Sequence, residues 1–282
     1  MHWNIEQIAW ALILAAHLVL LVVLLGRDSS RRFPWFTAAI AISAVRLLAD
    51  HLLHGKLTTL AFYWQSYTAM TVDAIVGILV LVEVTRQIFS SGKGGLRLNS
   101  RGWLGWSLVT VAVTIAAVWA WGPWPVWQAL KAQPAQLPLL LTVLAGLKGQ
   151  LFLGLLTLQV GLLSRFFGKR FGYGWRSQAQ QILLGLSTNA LGFLSVQAIS
   201  ESIKRTVHLT SRAEYNRVVH LLTNLDNARN AVWFLVLIWW IVWLGRDEPG
   251  SATPAEAVEG PPQPVGPPEL DAGSVGEPGL SE

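Results

Sequence analysis

Cysteine is absent from this 282-residue chain. That excludes a disulfide framework, thiol catalysis and a thiolate-bound metal, and it is silent about redox compartment. Charge is scarce: 13% of the residues are Asp, Glu, Lys or Arg, against about 25% in a soluble domain. Acids are scarcer still through most of the chain, with eight in the first 246 residues and another eight crowded from Asp247 to the end. No Asn-x-Ser/Thr sequon occurs, in keeping with a bacterial source. Apolar residues, at 52%, and 15 tryptophans fill the space that charge leaves.

The first 246 residues hold all 21 Lys and Arg against those eight acids. In a soluble protein such an excess would suggest nucleic acid. Here the basic residues flank apolar runs, so the expected partner is the lipid bilayer and no nucleic acid is expected.

A membrane crossing needs about 20 apolar residues, because roughly 30 Å of hydrocarbon is spanned at 1.5 Å per residue. Seven runs qualify: Ile8–Gly26, Pro34–Leu53, Ala61–Val84, Trp103–Trp121, Leu137–Ser164, Ser177–Ser200 and Asn230–Gly245. The first lacks a basic leader and is followed by an arginine cluster, which reads as an anchor and not a cleaved signal. The expected fold class is therefore all-α, a polytopic integral membrane protein built as a seven-transmembrane-helix bundle.

Basic residues set the expected orientation. The first, third and fifth connections hold eleven Lys and Arg: Arg27, Arg31, Arg32; Arg86, Lys93, Arg97, Arg101; Arg165, Lys169, Arg170, Arg176. The second and fourth hold one each, Lys56 and Lys131. The N-terminus is expected outside and the C-terminus in the cytoplasm of a bacterial cell, across its inner membrane. Trp64, Trp119, Trp121, Trp124 and Trp127 then fall in an outer belt. Trp35, Trp103, Trp106, Trp175, Trp239, Trp240 and Trp243 fall in an inner one.

The sixth connection carries Lys204, Arg205, Arg212, Arg217 and Arg229 on the expected outer side, against the pattern. Within it Ser211 precedes Glu214 by three residues, a capping-box spacing. Val218, Val219, Leu222 and Leu225 follow at helical intervals. A helical extension over 212–229, continuous with the seventh span, is expected, about 50 Å long in all. From Asp247 the chain turns Pro- and Gly-rich, acidic and free of aromatics. That composition predicts a disordered cytoplasmic tail over 247–282.

Polar residues inside the spans are the candidate site. Counting from the outer end of each span, Arg46 lies about 11 Å deep, His17 about 14 Å, Lys148 about 16 Å, Asn189 about 17 Å and Asp73 about 18 Å. Ionisable groups at such depth face the bundle interior and pair, either to fix helix packing or to bind a ligand. Asp50 shares a face with Ser43 and Arg46 and is within one turn of Arg46. Lys148, in the run "LLTVLAGLKGQLFLGLLTLQ", is expected to pair with Asp73. Thr188 and Ser195, with Gln181, Gly185 and Gly192, form a stripe of small and polar groups beside Asn189. Ala145 and Gly149 make a small-xxx-small pair for close helix approach. Glu83 and Arg86, one turn apart, read as an ion pair at a helix end.

His51 and His54 are the weak candidates for a metal, and no metal or other cofactor is expected. Retinal proteins carry their lysine on the seventh helix, where Asn230–Gly245 has none. Seven-helix zinc hydrolases of the ceramidase and adiponectin-receptor type carry paired histidines there, and this span has none of those either. A haem site needs two histidines at matching depth, and only His17 is deep. The expectation is a non-enzymatic receptor- or sensor-like bundle that binds a small-molecule ligand and acts through a cytoplasmic protein partner. The alternative is a small-solute or ion transporter that uses the midplane charges.

Overall fold

The computed structural model describes residues 5–27, 29–53, 55–90, 100–121, 137–167, 177–206 and 211–246. The expected tail, 247–282, and His54 lie outside them. Every regular element among the described residues is a helix: α1 (Ile5–Gly26), α2 (Ser29–Arg32), α3 (Pro34–Leu53), α4 (Thr59–Ser90), α5 (Ser100–Ala120), α6 (Leu137–Phe167), α7 (Gln178–Thr206) and α8 (Arg212–Leu244).

Six of these, α1, α3, α4, α6, α7 and α8, are long and apolar enough to cross a membrane. Each buries only 17–28% of its most apolar 18-residue window. Much of the rest is half-buried or exposed hydrocarbon: Val22 and Leu235 are both more than 60% exposed. Soluble monomers do not carry apolar surface on that scale, so the helices suit a bundle whose solvent is lipid. The fourth expected span falls on α5, whose apolar stretch among the described residues is Ser107–Ala120.

Cross-helix pairs fix the arrangement. Trp35 and Phe36 meet Glu83, Arg46 meets Asp73, and Asp50 meets Gln65, so α3 and α4 run antiparallel. Gly77 lies against Leu153, Gly149 against Ala74 and Gly146 against Tyr67, so α4 and α6 run parallel. Gly161 faces Ser187 and Gly154 faces Leu194, which sets α7 antiparallel to α6. Gly185 faces Trp240 and Gly192 faces Val232, which sets α8 antiparallel to α7. α1 closes the ring by packing on both α8 and α3, and α5 lies against α6. We call the end that carries the N-terminus of α1 the upper end.

The core is lopsided. Leu20, Leu24, Phe33, Phe36, Ile40, Val80, Val84, Ile88, Ile182, Leu237, Trp240 and Leu244 are buried together in the lower half of the ring. Trp240, expected in a surface belt, is fully buried instead. Its ring meets Phe36 and Trp233 edge-on, with centroids 5.0 and 5.6 Å away, and its indole N–H donates to the Gln181 carbonyl at 3.2 Å. Gly185 makes room for it, since a Cβ there would overlap the indole.

Element ends depart from the sequence reading for physical reasons. α4 runs on past Val84 because Ile88 reaches the core, although Glu83 and Arg86 ended the hydrophobic run. α8 starts at Arg212 with Ser211 as N-cap, whose hydroxyl accepts from the Glu214 N–H at 3.2 Å, and continues unbroken to Leu244. The close approach of α6 to α4 falls on Gly146 and Gly149, while Ala145 is exposed.

Candidate functional site

An apolar helix has few ways to keep a charged side chain, and this bundle uses two. One is to satisfy a helix end. α3 begins Phe33-Pro34-Trp35-Phe36, with no side chain at its start able to accept a hydrogen bond. Glu83 on α4 supplies the cap: its two oxygens accept from the Trp35 N–H at 3.2 Å and the Phe36 N–H at 3.0 Å. A carboxylate at a helix N-terminus also meets the positive end of the helix dipole. Glu83 therefore serves α3, which replaces the expected ion pair with Arg86.

Lys148 does the opposite job at the other end of a helix. Its ammonium donates to the Trp121 carbonyl and, at 3.4 Å, to the Val118 carbonyl, among the last carbonyls of α5. These groups have no N–H ahead of them in the helix, and a cation there suits the dipole. The expected pair of Lys148 with Asp73 is not what the structure shows. Similar depth placed the two residues in one slab, but depth carries no information about direction around the bundle.

The second device is the ion pair. Arg46 on α3 pairs with Asp73 on α4 through Nη1, and its Nε lies 3.7 Å from Asp50, one turn away. The other Asp50 oxygen accepts from the Gln65 side-chain amide at 2.9 Å. Four polar groups thus cross-link α3 and α4 in the upper half. Three of them, Arg46, Asp73 and Gln65, line a groove of about 630 Å³ on the flank of the bundle. Its remaining walls are Ala41, Ile42, Val45, Trp64, Thr68, Ala69 and Val72. Val45 and Val72 on its rim are exposed. The groove is open sideways, where hydrocarbon would lie.

The other candidates are elsewhere. His17 is 2% exposed in α1, with Nδ1 donating to the Ile13 carbonyl at 2.7 Å and its ring 5.8 Å from that of Trp233. Its Nε2 is buried without a hydrogen-bond partner. Asn189 is half-buried on α7. Thr188 is exposed and turns its hydroxyl back to the Leu184 carbonyl, and Ser195 is exposed. The small-residue stripe of α7 seats α8 through Gly185 and Gly192 and leaves those two hydroxyls outside. His51 stacks on Trp10 with ring centroids 3.9 Å apart, while the Trp10 indole donates to the Leu47 carbonyl at 3.1 Å. Among the described residues no three His, Asp or Glu side chains are grouped as metal ligands.

Of the five midplane residues, the structure joins Arg46 to Asp73, with Asp50 beside them, and places Lys148, His17 and Asn189 apart. Sequence reading missed Gln65 and the capping role of Glu83. The signal for Gln65 was an amide about two helical turns above Asp73 in an apolar span. The signal for Glu83 was an α3 start that lacks its own cap.

No protein family, curated protein or solved structure matches the chain.

Proposed function

We propose that this chain is a non-enzymatic membrane bundle that binds a small amphiphilic molecule in the α3–α4 groove. It reports that binding to a protein partner, as a receptor or sensor does. The carrying observation is the groove itself: the Arg46–Asp73 ion pair, with Gln65 and Thr68, in the wall of an otherwise apolar cleft. Charge facing lipid is costly, so such a cluster is best kept where a ligand covers it. The cleft volume suits a drug-sized molecule, and few polar groups in an apolar wall are what such sites share.

The proposal includes seven crossings with α5 as the fourth, the N-terminus outside, the lower end in the cytoplasm, and a disordered tail there. The three basic connections support that orientation. The transporter alternative has less support, because Lys148 serves α5 while Arg46 and Asp73 line the flank, so the midplane charges do not line one path.

A thermal-shift screen of amphiphiles on the purified protein tests the reading. Ligands that raise the melting temperature should lose their effect in Ala69→Trp, which fills the groove, and keep it in Val113→Trp on α5. Stabilising ligands that are indifferent to Ala69→Trp would place binding elsewhere and remove the groove from the account.

A further inference from the structure

We propose that the lower corner formed by α1, α2, α3 and α4 binds an anionic phospholipid through its phosphate. The corner lies at the opposite end of α3 from the groove, and the two sites stand independently. Four arginines meet there. α2 packs on both α1 and α3, which brings Arg27, Arg31 and Arg32 to the start of α3. The Arg32 carbonyl accepts from the Gln87 side-chain amide, and Glu83 accepts from the Trp35 and Phe36 N–H groups. Residues 32–36 are therefore pinned to the turn of α4 that carries Arg86. All four arginine side chains are exposed.

The charge of the corner selects an anion. Against the four guanidinium groups the sequence sets two acids, Asp28 and Glu83. Both Glu83 oxygens already serve the start of α3. The corner thus keeps an excess of positive charge. A guanidinium matches a phosphate through paired N–H···O bonds, and basic clusters at a membrane surface attract anionic headgroups.

The surroundings select a lipid over a soluble anion or an acidic protein segment. Val82 stands one turn from Arg86 on the same face of α4, and Leu25 stands two residues before Arg27; both are exposed. Bare hydrocarbon thus lies on the membrane side of these arginines. Trp35, at the start of α3, is exposed as well, and an indole suits the depth of the headgroups. A phospholipid meets both parts at once, with phosphate on guanidinium and an acyl chain on Val82 or Leu25. A soluble anion or an acidic peptide would use the arginines alone.

The test titrates the full chain in neutral detergent with phosphatidylglycerol and with phosphatidylcholine of the same acyl chains, and reads bound lipid by native mass spectrometry. Phosphatidylglycerol should bind at least about tenfold more tightly. Replacing Arg31→Gln and Arg86→Gln together should weaken it by about tenfold. Arg165→Gln with Arg246→Gln removes the same charge at the same end of the bundle, from α6 and beside α8, and should change it by less than about twofold. The comparison of the two lipids is made on the wild-type chain, so it stands whether or not the variants fold. Equal binding of the two lipids, or equal losses in the two double variants, would overturn the proposal. Glycerol phosphate that competes as well as the lipid would overturn it in favour of a soluble anion. Polyglutamate that does so would overturn it in favour of an acidic protein segment.

Discussion

Lys148 shows why a residue's depth in a membrane says less than its direction. Its ammonium ends on two carbonyls at the C-terminus of α5, so Lys148→Met should strand buried acceptors, at a cost of about 1–3 kcal/mol, read as a lower melting temperature in detergent. Asp73 belongs to Arg46. A double-mutant cycle of Arg46→Leu with Asp73→Leu should show a coupling of roughly 0.5–3 kcal/mol, and one of Lys148→Met with Asp73→Leu should add within about 0.5 kcal/mol. Strong coupling in the second cycle would restore the pairing that depth suggested. Glu83→Ala should leave two N–H groups of α3 uncapped and cost about 1 kcal/mol, as loss of an N-cap does elsewhere. The sequence showed that these charges were buried in the apolar spans. It did not show their partners, because a helix end is a partner with no side chain of its own to spot.

At the scale of the element, glycine decides how closely two helices approach. A methyl at Gly185 would run into the rigid Trp240 indole, whereas at Gly105 nothing lies within 4 Å. Gly185→Ala should therefore destabilise the bundle by about 1–3 kcal/mol, the usual cost of overpacking. Gly105→Ala should be neutral or stabilise α5 by up to about 1 kcal/mol through helix propensity. Thermal melts of the two variants side by side decide the matter; equal losses would mean that the Trp240 seat is soft. Helix positions were legible because apolar runs of this length have few other uses: α3 begins and ends where the run Pro34–Leu53 does. The ends of α4 and α7 were less so, since both helices run past the expected spans, as Thr85–Ser90 and Glu201–Thr206. Trp240 was misplaced in a belt because a tryptophan near a helix end looks the same from sequence whether it faces headgroups or a neighbouring helix.

For the whole molecule, the basic connections argue that the lower end faces the cytoplasm. A reporter active only in the cytoplasm should give signal when fused at Ser251 and stay silent at Gly55; the reverse pattern would invert the bundle. Truncation after Asp247 should leave expression and melting nearly unchanged, because the acidic, Pro- and Gly-rich tail offers little to pack; a large loss of folded protein would show that it docks. The groove was not legible as a groove. Most of its wall is Ala, Val, Ile and Thr on two helices, and only the antiparallel register of α3 on α4 turns them into one surface.

The capped start of α3 has a mechanical consequence. Glu83 holds that helix by two N–H groups at its base, where Phe36 is wedged against Trp240. Ten residues on, about 15 Å away, Arg46 stands in the looser upper half. α3 is thus a lever with its fulcrum near the closed end. A tilt of about 5° moves the Arg46 level by roughly 1.3 Å. The same tilt moves the Phe36 ring by only a small fraction of that, against a packed indole. A displacement at the top would therefore become a smaller one at the bottom, against the packed Trp240 indole.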